Sequence, residues 1–89
     1  IILMNINELI AIVKNKLEAE IVIQDLKIED KSFLHKNHKG HQEGKFHLKL
    51  TIKSEELVKS SKIVSTKRIY RALDFELKEH IHSIQILLS

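Results

Sequence analysis

From Lys45 to Lys53 apolar and polar side chains alternate without a break, with Phe46, Leu48, Leu50 and Ile52 set between Lys45, His47, Lys49, Thr51 and Lys53. A period of two marks a strand with one buried and one wet face, which puts His47 among the solvated side chains. Earlier in the chain the period changes. Ile6, Leu9, Ile10, Val13, Leu17 and Ile21 recur at spacings of three and four, which predicts an amphipathic helix with Asn5 or Asn7 as its cap. Leu26 and Ile28 then alternate within "DLKIED", a second short strand, and "EIVIQ" can extend either neighbour.

Beyond the clear strand, Ser54 can cap a turn at "SEEL". In "SKIVSTKRIYRALDFELKEH" the residues Ile63, Thr66, Ile69, Tyr70, Leu73 and Leu77 fall on one helical stripe, which predicts a long helix packed through it. Lys67, Arg71 and Lys78 project from a neighbouring face with Arg68 beside them. In "HIHSIQILLS", Ile84, Ile86 and Leu88 share one face of a third strand, and that inward parity includes His80 and His82. The order helix, strand, strand, helix, strand predicts a small α+β domain in which helices cover one face of a three-stranded mixed sheet and the other face is left to water. The long helix is a crossover, so the second and third strands should run parallel with right-handed geometry.

A chain of 89 residues supports one hydrophobic core, so residues 1–89 are read as a single domain. It has no cysteine, which rules out disulfides, thiol nucleophiles and cysteine-held metal; any metal must be bound by His or carboxylate. The formal charge of +3 permits contact with polyanions without requiring it. No stretch has the apolar length to cross a bilayer, and "IILMNINELI" lacks the pattern of a secretory signal. The expectation is a cytoplasmic protein without membrane contact, with Met4 as native start. No nucleophile elbow, phosphate loop or HExxH spacing is present, so no enzyme activity is expected.

The stretch "HKNHKGHQEGKFH" carries four of the six histidines and both glycines. If the last two strands are parallel, the third begins at the sheet end where this loop delivers the chain into Phe46. His82 then lies beside His35, His38 and His41. One loop imidazole and one strand imidazole make half of a tetrahedral ligand set for zinc, copper or iron, leaving a partner to supply the rest. Spacing alone favours the blander reading: a histidine on an apolar parity is commonly a core residue bonded to backbone, and loop histidines among lysines are commonly solvated. His80, near the helix end, fits a helix-dipole or solvent role.

These segments resemble the BolA family. "LKIEDKSFLHKNHKG", with Asp30, Ser32, His35, His38 and Gly40, is similar to the family's first strand and its variable histidine-or-cysteine loop. "EGKFHLKLTI" resembles the start of its second strand, "KRIYRALDFEL" its long helix, and "EHIHSIQI" its signature around His82. The resemblance spans residues 6 to 88. It implies a fold resembling the type II KH domain, and an adaptor that pairs with a monothiol glutaredoxin to share a two-iron two-sulfur cluster. The implied roles are iron-dependent regulation, stress response, or cluster maturation and delivery. His82 would be the invariant ligand and His35 the second, with His38 the next candidate; the glutaredoxin cysteine and glutathione would complete the set. No cofactor is expected in the isolated protein, which is expected to be a monomer. Arg68, Lys67 and Arg71 would offer a docking surface, and Phe75, off the main stripe, would either join it or be partly buried against the first helix.

The alternative is a KH-like nucleic-acid-binding regulator, with Lys67, Arg68, Arg71 and Lys78 neutralising phosphates. Against it, the GxxG loop of RNA-binding KH domains is missing, and aromatic platforms are few. Two departures from the BolA pattern, Thr66 where a histidine is common and "ELVKSS" without the usual glycine, fall in the region tied to DNA contact in some relatives.

Overall fold

A computed structural model describes residues 5–32 and 45–89. His35, His38 and His41 therefore lie outside the described residues, as does Met4. Helix α1 spans Ile6–Glu20, and the Asn5 side chain caps it by accepting a hydrogen bond from the Glu8 N–H at 2.8 Å. Strand β1 covers Asp25–Asp30 and β2 Phe46–Lys53, followed by the short α2, Glu55–Val58. Ser54 is fully buried: its Oγ accepts from the Leu57 N–H at 3.2 Å and donates to the Val22 carbonyl at 2.7 Å. One hydroxyl thus starts α2 and ties it to the segment after α1. Helices α3, Lys62–Ala72, and α4, Asp74–Glu79, lead into β3, Ile81–Leu88.

The sheet order is β1-β2-β3, with β1 antiparallel and β3 parallel to β2. The expected mixed sheet, its helices and the common direction of the last two strands are all present. The core joins Leu9, Val13 and Leu17 of α1 to Leu48, Leu50 and Ile52 of β2, with Leu57, Ile69, Leu73 and Ile81 closing it. Among the described residues no helix is long and apolar enough to cross a membrane.

The long helix departs from the expected stripe. It breaks at Leu73, whose φ of −106° and ψ of 20° leave the helical region. The buried positions are Ser65, Ile69, Leu73 and Glu76, whereas Ile63 is 69% and Tyr70 44% exposed. The two polar members explain why hydrophobicity misplaced the face. Ser65 Oγ donates to the Leu57 carbonyl at 2.6 Å, and Glu76 Oε2 accepts from Lys16 Nζ at 2.6 Å. Both groups go inside because each finds a partner there.

Candidate functional site

The site is built where β2 and β3 begin. The Phe46 N–H donates to the His80 carbonyl at 2.9 Å, and Phe46 lies in register with Ile81. One step on, His47 is in register with Ser83, so His82 is an extra residue on β3. Such a bulge reverses the inward and outward alternation at that point and re-aims a side chain. The expected inward parity of His80 and His82 therefore does not hold. Ile81 fills the core at 2% exposure, His82 and Ser83 face outward, and Ile84, Ile86 and Leu88 resume the core-side pattern after the bulge. His82 is exposed, which also sets aside its reading as a core histidine.

His47 differs too. Alternation placed it in solvent, but it is 5% exposed. Its Nδ1 shares a 2.6 Å hydrogen bond with Ser83 Oγ, and its ring centroid lies 4.8 Å from that of His82. Its backbone is held from the other side. The His47 N–H donates to Ser32 Oγ at 3.0 Å, its carbonyl accepts from the Lys31 N–H at 2.7 Å, and the Ser32 N–H donates to Asp30 Oδ1 at 2.9 Å. Asp30 and Ser32 thus form an Asx turn that locks the end of β1 onto the start of β2. Sequence reasoning missed His47 as a neighbour of His82, because alternation set the two on opposite faces and the bulge that brings them to one face is not visible in it.

Residues 33–44 connect Ser32, whose Oγ accepts from the His47 N–H, to Lys45, two residues before His47. Among the described residues no three His, Asp or Glu side chains gather as a metal site, so His82 stands as a single exposed imidazole at this end. His80 caps α4 through its N–H to the Glu76 carbonyl at 2.8 Å, and its ring meets Phe75 edge-on at 5.8 Å. Phe75 is 58% exposed and has Lys16 of α1 over its ring.

The basic residues separate into two groups. Arg68 is engaged, its Nη2 donating to the Glu20 carbonyl at 3.0 Å and to Glu56 Oε2 at 2.9 Å. Lys78 pairs with Asp74 at 3.1 Å. Lys67 and Arg71 are exposed and line a shallow apolar surface with Ile63 and Tyr70.

Residues 17–89 match the model of the family described as BolA-like protein. The chain belongs to the BolA-like family. Solved structures agree on the fold. The BolA domain of SufE1 from Arabidopsis thaliana is 28% identical with a TM-score of 0.74, covering 97% of this chain and 93% of its own. BolA1 from Arabidopsis thaliana is 24% identical with a TM-score of 0.73, covering 89% and 87%. BolA1 from Mus musculus, 21% identical with a TM-score of 0.69, covers 86% of this chain and 60% of its own. Comparison with curated protein sequences gave no match.

Proposed function

We propose that this BolA-like chain is a non-enzymatic adaptor that pairs with a monothiol glutaredoxin and lends histidine ligands to a shared two-iron two-sulfur cluster, in cluster maturation or delivery or in iron-dependent regulation. The observation that carries the reading is the exposure of His82 on a bulge, at the sheet end where residues 33–44 join the body. An imidazole on a strand start is a positioned ligand, while the connection that bears His35 and His38 supplies the second donor.

The donor set fits this role. A chain without cysteine leaves imidazole nitrogen or carboxylate oxygen as ligand, and His82 together with one imidazole of the histidine-bearing connection is half of the coordination that two irons require from outside the cluster. Glutaredoxin cysteine and glutathione supply the other half. When bound, the cluster provides the iron that is transferred or sensed; this chain's part is to present His82, back its ring with His47, and dock the partner. Lys67 and Arg71 are the exposed cations for docking, while Arg68 shapes that surface from its bonds to Glu20 and Glu56.

The test is to mix the chain with a cluster-loaded monothiol glutaredoxin and record visible absorption and circular dichroism, then repeat with His82→Ala, His35→Ala and His38→Ala. A shifted spectrum that is lost with His82→Ala and altered by one loop variant supports the proposal. A spectrum indifferent to His82 overturns it. Nucleic-acid binding is the weaker reading, because Arg68 and Lys78 already hold carboxylate partners.

A further inference from the structure

Strand β3 lies at the edge of the sheet, with β2 on one side and no strand on the other among the described residues. The Ser89 N–H donates to the Ile52 carbonyl at 2.9 Å, and the Ser89 carbonyl accepts from the Ser54 N–H at 2.9 Å. In a parallel ladder a residue turns both backbone groups to one side and its neighbours turn theirs to the other. Ile84, Ile86 and Leu88 therefore direct N–H and C=O outward, and no hydrogen bond from the described residues reaches them.

The two edges of the sheet are treated differently. Strand edges are normally guarded against pairing by charge, proline or bulges. In β1 the sequence DLKIED sets Asp25, Lys27, Glu29 and Asp30 along the rim. In β3 the sequence IHSIQILL contains no Lys, Arg, Asp or Glu, and its bulge falls before the outward-facing groups. Beside the open edge runs a groove whose apolar side is formed by Leu57, Val58, Ile86, Leu87 and Leu88, with Ser60, Lys62 and Thr66 on its polar side; Val58 is 51% and Leu87 43% exposed.

We propose that β3 pairs antiparallel with β3 of a second copy of this chain, on a two-fold axis through Ile86. In that register Ile84 of one copy faces Leu88 of the other and Ile86 faces itself, so every outward N–H and C=O of these residues gains a partner. The side chains match as well. Ile84, Ile86 and Leu88 meet on the helix-bearing side next to the groove, while Gln85 faces Leu87 on the open side. Self-complementarity favours a second copy, because the two-fold register pairs each outward group with an outward group of the same strand. Charge selects β3 rather than β1 of that copy: two neutral strands bring no like charges together within the ladder, whereas β1 would have its charged rim desolvated. His82 lies outside the paired segment, so the dimer and the proposed ligand role do not compete for it. A dimer departs from the monomer expected from sequence, because an unguarded edge is visible only once the strand order is known.

Sedimentation equilibrium of the full chain tests this. The mass should rise with concentration from 10.4 kDa toward twice that value. Gln85 and Leu87 are exposed and oppose each other across the axis, so the variant Gln85→Lys, Leu87→Lys should raise the dissociation constant by about tenfold or more. Gln85→Glu, Leu87→Glu should do the same, and an equimolar mixture of the two variants should associate again. In the unmodified chain, amide exchange at Ile84, Ile86 and Leu88 should slow as concentration rises. A single 10.4 kDa species throughout, a dimer indifferent to these substitutions, or exchange independent of concentration overturns the proposal.

Discussion

The rings of His47 and His82 lie 4.8 Å apart with their planes tilted by 55°. One is buried and bonded to Ser83; the other is exposed on the neighbouring strand. The pair exists because β2 and β3 run parallel and β3 carries one extra residue at this level. A buried ring behind an exposed one limits the rotamers of the outer imidazole, which lowers the entropic cost of recruiting it as a ligand.

Separate substitution of the two histidines should therefore give opposite profiles. His47→Ala removes a buried ring and its hydrogen bond and should cost about 1–3 kcal/mol of stability, read as a lower urea midpoint. It should also broaden the visible circular dichroism of a glutaredoxin mixture. His82→Ala removes an exposed side chain and should change stability by no more than about 0.5 kcal/mol while abolishing the spectral shift. Equal stability losses from both would show that His82 is a packing residue.

The corrected helix face gives a second contrast. Ile69 is fully buried, and Ile69→Ala should destabilise by about 2–5 kcal/mol through lost transfer energy and a residual cavity. Ile63, 69% exposed, should tolerate alanine within about 0.5 kcal/mol. Thermal or urea unfolding of the two variants checks this. Similar losses at both positions would restore the stripe drawn from hydrophobicity.

Periodicity made α1, β1 and β2 readable, because Leu9, Val13 and Leu17 repeat cleanly and Leu48, Leu50 and Ile52 alternate cleanly, and the helical crossover between the last two strands made their parallel pairing readable. It failed where burial is polar. Ser65 and Glu76 sit inside on the strength of single bonds to Leu57 and Lys16, contacts distant in sequence that no pattern shows. It failed again at His82, since a bulge depends on the partner strand. Counting in twos from Ile84 back to His82 gives the wrong face when one residue is unpaired. His47 was lost to the same rule, which knows which face a residue takes but not what covers it.

Acid should weaken the β1–β2 ribbon in a defined sense. Partial desolvation pushes the Glu29 carboxyl upward, but the hydrogen-bonded Lys31 and the charges of Lys27, Lys31 and Lys49 outweigh it and hold the group below its usual range. A carboxyl depressed in the folded state binds protons more readily when unfolded. Its contribution is complete above the unfolded value, fades as pH falls through the usual carboxylate range, and is gone below the lowered folded value. The difference in stability between the parent chain and Glu29→Gln should shrink on acidification and with added salt. A difference that grows in acid would reverse the sign.

Glu76 makes the strongest demand on a partner. Its side chain is 3% exposed and its Oε2 lies 2.6 Å from Lys16 Nζ, which is itself 42% exposed. Lys16→Met would leave a carboxylate inside without its cation and should cost about 1–3 kcal/mol, less than a fully buried pair because water reaches the lysine side. Glu76→Leu removes the charge that needs compensation, and Lys16→Met added to it should then cost little. The double-mutant cycle in urea should give a coupling of at least about 1 kcal/mol. Additive losses would mean that the carboxylate is satisfied by solvent and that α1 and α4 are joined by apolar contact alone.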